Sequence, residues 1–239
     1  MSFISCALSL VPCSLSLVLL YLLPYLRRMT DAKVVAEKLL QVNAVKLNPE
    51  NPFTWASGWK SPIYCDNRRV LSFPFTRDYI KSELCNVVFE KFPGAELLAG
   101  VATAGIAWGA MIADQLKLPY IYVRPKPKEH GLGNQIEGYY EAGQKVVVVE
   151  DLVSTGKSSL QVIDVLKDEG LEIAGMVSIF TYGFPIAADI FEKAGITYYP
   201  LTDYPTLIQL AAEKQIISSE QMEILLKWQA DPAGWKGVL

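Results

Sequence analysis

The second half of the chain shows a regular alternation of short apolar runs with longer amphipathic segments. The apolar runs are typical of buried strands, and the segments between them carry apolar residues at helical spacing. Strands are predicted at residues 97–99, 120–123, 146–149, 172–180 and 196–200, and helices at residues 106–116, 157–168 and 185–193. This alternation predicts βαβ units and a parallel sheet covered by helices on both faces. Ligands of such sheets bind at the carboxyl ends of the strands.

The first half of the chain predicts two more helices on either side of an irregular segment. Helices are predicted at residues 31–41 and 76–92, and short strands at residues 53–55 and 63–65. Thr30 and Asp31 are the candidate N-caps of the first helix. No repeat, low-complexity stretch or linker follows Thr30, so residues 29–239 are predicted to form a single domain.

The chain begins with an apolar stretch. Residues 1–26 carry no charged side chain and are followed by Arg27 and Arg28. Their length would allow a membrane span, which would keep everything downstream of it in the cytoplasm. A secretory signal would carry its positive charge before the apolar stretch, not after it. We therefore favour the interpretation that Met29 is the start and that residues 1–28 are an apolar extension outside the functional protein.

Composition narrows the class of protein. The 239 residues are 51% hydrophobic and 20% charged, which excludes general disorder and allows a sizeable core. A net charge of −3 argues against a dedicated nucleic-acid binder. One His cannot build a His-rich metal site, and the four cysteines lack CxxC spacing. These features predict a reduced, globular, cytoplasmic protein.

The most informative run follows the predicted strand of four valines. Glu150 and Asp151 are predicted to end that strand, and a Ser/Thr/Gly loop then opens the next helix. Backbone N–H groups at a helix N-terminus bind phosphate, and Gly156 allows close approach. A Walker A loop is excluded because no glycine lies five residues before Gly156. The pattern favours a ligand with hydroxyls or a metal beside its phosphate, and the alternative is an ordinary βα turn with an exposed acidic pair.

This run resembles the phosphoribosyl-diphosphate signature of the type I phosphoribosyltransferases. The resemblance implies that Glu150 and Asp151 hold the ribose hydroxyls and that Mg²⁺ bridges ribose and diphosphate, with no firm protein ligand for the metal. It assigns the 5′-phosphate cradle to Ser154, Thr155, Gly156, Lys157 and Ser158, and it places Leu152 and Val153 among the residues that bind phosphoribosyl diphosphate. The signature is specific for the family but not for the nucleobase.

A second segment concentrates positive charge after a predicted strand. Residues 122–138 contain three cations and the only His of the chain within seven residues, with glycines at 131, 133 and 138. A mobile basic loop that closes over a polyphosphate would exclude water from a reactive glycosyl cation. The alternative is a solvated basic hairpin. The basic residues are Arg124, Lys126, Lys128 and His130.

A third segment, residues 53–68, combines aromatic and small residues with a Ser-Pro turn, and by itself it is equally typical of a hairpin with exposed aromatics. Together with the basic segment it resembles the orotate phosphoribosyltransferases, whose motifs are similar to FTxxSGxxSPxYxDxR and RxxxKxHGxGNxIEG. The resemblance implies an α/β fold: a mostly parallel central sheet flanked by helices, with a small N-terminal hood and a mobile catalytic loop. It also implies that orotate contacts Ser154, Lys60 and Tyr64.

The resemblance assigns the diphosphate to the basic segment and to a turn at residues 102–104. Thr103 lies in that turn, and the loop would reach the neighbouring subunit of a homodimer. Two departures from the family pattern stand out. Many members have Lys at the place of Pro125, which makes the adjacent Lys126 a candidate for its role. Some members have an orotate-binding Arg where this chain has Thr181-Tyr182, so the orotate carboxylate would need donors near residues 57–60.

The implied reaction joins orotate to phosphoribosyl diphosphate, giving orotidine 5′-phosphate and diphosphate in pyrimidine (UMP) biosynthesis. Its oxocarbenium-like transition state needs charge stabilisation rather than a covalent nucleophile, so the catalytic residues implied are Lys128, His130 and Asp151. A transferase for another nucleobase is the second interpretation. A regulator that senses phosphoribosyl diphosphate is the third, but the chain after Tyr204 is too short for a nucleic-acid-binding domain. The partners implied are small molecules, with no nucleic acid and no membrane.

Overall fold

A computed structural model describes residues 30–55, 57–126 and 134–237. The part of the chain that it describes is built on a six-stranded sheet with the order β10-β9-β8-β5-β6-β7. All neighbours in it are parallel except the edge pair of β6 and β7. Its strands are β5 (Leu97–Val101), β6 (Tyr120–Val123), β7 (Ile136–Glu137), β8 (Lys145–Val153), β9 (Glu172–Thr181) and β10 (Tyr198–Asp203).

Helices cover both faces of this sheet, as the alternating pattern predicts. Two clusters of buried apolar side chains form the core, one on each face. One face is covered by α1 (Ala32–Gln41), α2 (Pro74–Lys91), α3 (Ala104–Leu116), α6 (Tyr204–Glu213) and α7 (Ser219–Ala230), and the other by α4 (Lys157–Asp168) and α5 (Pro185–Lys193). The prediction of an α/β fold with a mostly parallel sheet is confirmed.

The predicted elements agree with the structure most closely where their signals are local. β4 (Ile63–Cys65), β6, α4 and α5 have the predicted bounds. Of the two candidate caps of α1, Asp31 is the N-cap, because its Oδ1 accepts the N–H groups of Lys33 and Val34. The described residues contain no helix long and apolar enough to cross a bilayer. The expectations for residues 1–28 lie outside the described residues.

One prediction about the central strand is wrong. β8 does not end at the acidic pair but continues through it to Val153. The cause is its neighbour β9, whose pairing with β8 extends from Glu150 opposite Ser178 to Val153 opposite Thr181. On the other side, the pairing with β5 stops where Gly100 lies opposite Val149. The last part of β8 therefore has a strand neighbour on one side only.

Residues 45–55 and 57–72 form the hood, which packs against the C-terminal helices. It contains an antiparallel pair, β1 (Val45–Leu47) with β4, a hairpin of β2 (Phe53–Thr54) with β3 (Lys60–Ser61), and a 3₁₀ helix (Asn67–Ser72). Trp228 of α7 is fully buried, and its indole N–H donates to the carbonyl of Lys60 at 3.1 Å. The C-terminal residues, for which the sequence predicts only helical packing, thus hold the hood on the domain.

Candidate functional site

The carboxyl ends of β8, β5 and β6 lie side by side at one edge of the sheet. Because these strands are parallel neighbours, the segments that follow them meet there. These segments contain the acidic pair and phosphate loop, the 102–104 turn and Arg124, which sequence reasoning assigns to one ligand. The fold therefore brings together three segments that lie between residues 102 and 156 of the chain.

The turn after β5 is held against β8 by the start of α3. Gly105 is buried, and a Cβ built on it would lie 2.5 Å from the carbonyl oxygen of Val149 and 3.4 Å from the Cα of Glu150. The turn before it contains a cis peptide bond between Ala102 and Thr103, and the Ala102 N–H donates to the Val123 carbonyl. The close approach seats the turn directly beside the acidic pair. Sequence reasoning missed Gly105, although the Gly105/Gly109 pair at helical spacing was a usable signal.

Gly105→Ala is expected to destabilise the protein by about 1–3 kcal/mol through overpacking, although alanine normally stabilises a helix relative to glycine. The added methyl group would collide with the main chain of β8, which cannot move without displacing Glu150. Urea unfolding measures the change in free energy. Gly94→Ala is the matched control, since nothing lies within 4 Å of a Cβ built there. Equal free energies of unfolding for the Gly105→Ala variant and the unmodified protein would contradict the packing argument.

The acidic pair lies at the centre of this edge. Glu150 is only 6% exposed, and its Oε1 accepts the N–H of Asp151 at 3.0 Å. Burial, and then the Asp151 carboxylate, raise the pKa of Glu150 well above its ordinary value. Burial also raises the pKa of Asp151, against a lowering by the hydrogen bond with Glu150 and by the Arg68 guanidinium. A ligand that supplies hydroxyl donors or positive charge would favour the ionised pair, because it replaces what burial removes.

The loop proposed to bind phosphate, residues 154–156, follows Val153, whose carbonyl is held by hydrogen bonds, and ends at Gly156. The Val153 carbonyl accepts the N–H of Tyr182 at 3.0 Å and the hydroxyl of Thr181 at 3.3 Å, and the Val153 side chain is buried in the core. Gly156 has φ of +75°, and a Cβ there would lie 3.1 Å from the ring of Phe191. Glycine is thus required both by the left-handed turn and by the close contact with α5. Helix α4 begins at the next residue, so its free N–H groups lie at the end of this loop.

Side chains of the predicted loop and approach differ in exposure. Ser154, Thr155 and Leu152 are half-buried, and Lys157 and Ser158 are exposed. Leu152 and Val153 belong to β8, and Lys157 and Ser158 form the first turn of α4, so only residues 154–156 of the predicted cradle lie in the loop between strand and helix.

The hood reaches the acidic pair through its 3₁₀ helix. Asn67 Nδ2 donates to the carbonyl of Asp151 at 2.7 Å, and Asn67 is fully buried. Arg68 is paired with Asp66 through hydrogen bonds of 2.7 and 3.0 Å. Its positive charge also opposes the rise in the pKa of Asp151 that burial causes. The aromatic segment thus meets the phosphate-loop strand, as expected of parts of one site.

Two of the residues predicted to contact orotate, Lys60 and Tyr64, lie exposed on the hood. The Lys60 ammonium donates to the Thr54 hydroxyl at 2.8 Å. The two tryptophans of the hairpin, Trp55 and Trp59, are half-buried, and the ring centroid of Trp55 lies 4.9 Å from that of Tyr182. Tyr182 lies where some family members have an orotate-binding Arg, but it is only 2% exposed. It is therefore a core residue.

The basic segment is described only at its two ends. The Arg124 backbone N–H donates to Gln135, and its guanidinium Nη1 lies 3.4 Å from Glu137 Oε1, across the pairing of β6 with β7. Lys126 is exposed. Lys128 and His130 lie outside the described residues, so their predicted contacts stay predictions.

The described residues offer a metal ion few protein ligands. No group of three or more His, Cys, Asp or Glu side chains that could hold a metal occurs within the described ranges. The acidic pair supplies two adjacent carboxyl groups. Mg²⁺ commonly uses one or two carboxylates together with substrate phosphates, so this donor set fits a metal that arrives with its substrate.

A mostly parallel sheet with an acidic pair, a short Ser/Thr/Gly loop and a closely packed glycine turn at the ends of neighbouring strands fits the phosphoribosyltransferases. In agreement, a family model described as the phosphoribosyl transferase domain matches residues 86–190. The orotate phosphoribosyltransferase of Cytophaga hutchinsonii is 53% identical over 208 residues, which cover 87% of this chain and 100% of that protein. The chain belongs to the orotate phosphoribosyltransferase family.

Solved structures agree in fold. Orotate phosphoribosyltransferase from Aeropyrum pernix is 28% identical, with a TM-score of 0.67 over 77% of this chain and 99% of that one. Leishmania donovani UMP synthase is 25% identical, with a TM-score of 0.73 over 92% of this chain. This chain spans 46% of the length of that synthase.

Proposed function

We propose that this enzyme transfers the 5-phosphoribosyl group from phosphoribosyl diphosphate to N1 of orotate, producing orotidine 5′-phosphate and diphosphate for UMP biosynthesis. The observation that carries the proposal is the acidic pair of β8, in which Glu150 is buried and Asp151 half-buried, between the 102–104 turn and the hood. Support for the base comes from relatives at about 50% identity that bear the name orotate phosphoribosyltransferase.

The acidic pair orients the ribose. Ionised Glu150 and Asp151 accept hydrogen bonds from the 2′- and 3′-hydroxyls, and they place negative charge near the positive charge that develops on the ribose ring. The 5′-phosphate binds the loop of Ser154, Thr155 and Gly156, where the first N–H groups of α4 are donors without helical partners. The ribose is thereby held through its hydroxyls and through its 5′-phosphate.

Departure of the diphosphate is the step that needs positive charge. Arg124, Lys126, Lys128 and His130 are the residues proposed to stabilise it, together with the turn at Thr103. Mg²⁺, bound with the substrate beside the acidic pair, would neutralise part of the diphosphate charge. The proposed charge stabilisation requires no covalent nucleophile. Cys65 and Cys85 are both buried, as expected of packing residues.

Orotate is proposed to lie between the phosphate loop and the hood. Ser154, Lys60 and Tyr64 are the side chains assigned to it, with Lys60 supplying charge for the carboxylate. Tyr182 is buried among aromatic rings and Thr181 bonds to Val153, so neither replaces the family's Arg. The donors for the carboxylate are therefore placed on the hood, near residues 57–60.

The functional unit is proposed to be a cytoplasmic homodimer of the domain at residues 29–239, with residues 1–28 outside it and the basic loop acting on the partner's site. The free, buried cysteines among the described residues suit a reducing compartment. A transferase for another base, or a sensor of phosphoribosyl diphosphate, remains the rival function that the following experiment separates.

The test is orotate-dependent release of diphosphate by the purified protein with phosphoribosyl diphosphate and Mg²⁺. Parallel reactions contain uracil, adenine or hypoxanthine in place of orotate, and one contains no base. Release with orotate alone is the expected result. Release with a different base would establish the second interpretation, and tight binding of phosphoribosyl diphosphate without turnover would favour the sensor.

A further inference from the structure

The end of β8 has a strand neighbour on one side only, and Asp151 of the acidic pair lies in this part. Its pairing with β5 stops at Val149, whereas the strand continues through the acidic pair with β9 alone. The register with β9 joins Glu150 to Ser178 and Leu152 to Phe180 but gives Asp151 no partner. The main-chain polar groups of Asp151 must therefore be satisfied outside the sheet.

Two side-chain groups occupy that edge. The Asp151 N–H donates to Glu150 Oε1 at 3.0 Å, and the Asp151 carbonyl accepts the side-chain amide of Asn67 at 2.7 Å. Asn67 comes from the hood, 84 residues earlier in the chain, and has no exposed surface. Its amide takes the place of the missing strand neighbour.

A thiol on the other side of that amide supports its orientation. Cys65 Sγ lies 3.5 Å from Asn67 Oδ1, so the thiol donates to the amide oxygen and leaves the amide nitrogen to face Asp151. Burial raises the pKa of the Cys65 thiol well above its ordinary value, and the nearby Asp151 raises it further. The thiol therefore stays protonated and remains a donor.

We propose that Asn67 is a positioning residue for the acidic pair: it holds the main chain of Asp151 so that the two carboxylates face the ribose, and Cys65 orients it. The inference rests on the proposed function, because it assigns the pair to phosphoribosyl diphosphate. Asn67 has no exposed surface with which to contact a substrate. It acts through a backbone carbonyl, and displacement of a reacting group by about 1 Å can cost 10²-fold in rate.

Calorimetric titration of Asn67→Ala with phosphoribosyl diphosphate and Mg²⁺ tests this role without relying on turnover. The expected result is a dissociation constant raised at least about 10-fold, with a matching fall in kcat/KM for that substrate. The KM for orotate should change less than about 2-fold, since base contacts are untouched. Asn86→Ala, which alters an exposed Asn on α2, is the matched control and should leave both values unchanged.

A second pair of variants covers the case in which Asn67→Ala does not fold. Cys65→Ala removes the donor that orients the amide and should weaken binding of phosphoribosyl diphosphate several-fold, whereas Cys65→Ser restores a donor and should bind as the unmodified protein does. Equal binding by both Cys65 variants would overturn the proposal. So would a folded Asn67→Ala variant with unchanged affinity, or one whose only change is a raised orotate KM.

The two proposals fail in different ways. Binding of phosphoribosyl diphosphate that depends on Asn67, without any orotate turnover, would overturn the proposed reaction and support this inference. Orotate turnover that is unaffected by Asn67→Ala would support the proposed reaction and overturn this inference. An unmodified protein that does not bind phosphoribosyl diphosphate would overturn both.

Discussion

Glu150→Gln combined with Asp151→Asn is expected to lower kcat by at least about 10²–10³-fold, the range seen when one preorganised electrostatic contact is removed. The amides keep the shape of the carboxyl groups but remove the negative charge that faces the developing positive charge of the ribose. Steady-state release of diphosphate measures the effect. Asp164→Asn, at an exposed position of α4, is the matched control and should retain full activity.

The same double variant is expected to be at least as stable as the unmodified protein near neutral pH. Burial raises the pKa of Glu150 in the folded state, so folding of the unmodified protein is penalised as the pH rises above the ordinary carboxyl value of 4.5. The amide carries no such penalty. Thermal unfolding at pH 5 and pH 8 should therefore show a difference that grows with pH in favour of the variant. Full activity of the double variant, or a collapse of its fold, would contradict the assignment of the pair to ligand rather than to structure.

Lys128→Ala is expected to lower kcat by about 10²–10³-fold with little change in the KM for orotate. The prediction rests on the motif around His130: an ammonium group stabilises the departing diphosphate most when charge accumulates there in the transition state. Initial rates at varied orotate and saturating phosphoribosyl diphosphate separate kcat from KM. Lys227→Ala, at an exposed position of α7, is the control. A raised orotate KM at unchanged kcat would assign Lys128 to the base instead.

Mixing of two inactive variants tests whether the loop acts on the partner's site. A dimer of one Lys128→Ala subunit and one Asp151→Asn subunit would contain one site with both a native loop and a native acidic pair. Activity should therefore recover on mixing, towards a quarter of the unmodified value if exchange is statistical. Absence of recovery, with subunit exchange confirmed by mass spectrometry, would show that the loop serves its own subunit.

Local sequence signals determined much of the framework. Helices α4 and α5 have the predicted bounds because Gly156 precedes one, Pro185 begins the other, and apolar residues at helical spacing fill both. The run of valines likewise identifies the central strand, and the two carboxylates and the hydroxyl-rich loop after it identify the chemistry. These signals depend on residues a few positions apart, which a sequence presents directly.

Tertiary structure alone decided where β8 ends and what holds the acidic pair. The strand continues past its predicted end because β9 pairs with it as far as Thr181. The sequence of β8 itself does not show how long the neighbouring strand is. The contact of Asn67 with Asp151 spans 84 residues, and the contact of Gly105 with Val149 joins a helix start to another strand. Tyr182 is in the position of a base-binding residue, but the indole of Trp228 and other rings enclose it in the core. Such contacts join residues that are distant in sequence, and their partners are set by how the layers pack, which leaves no periodic pattern in the chain.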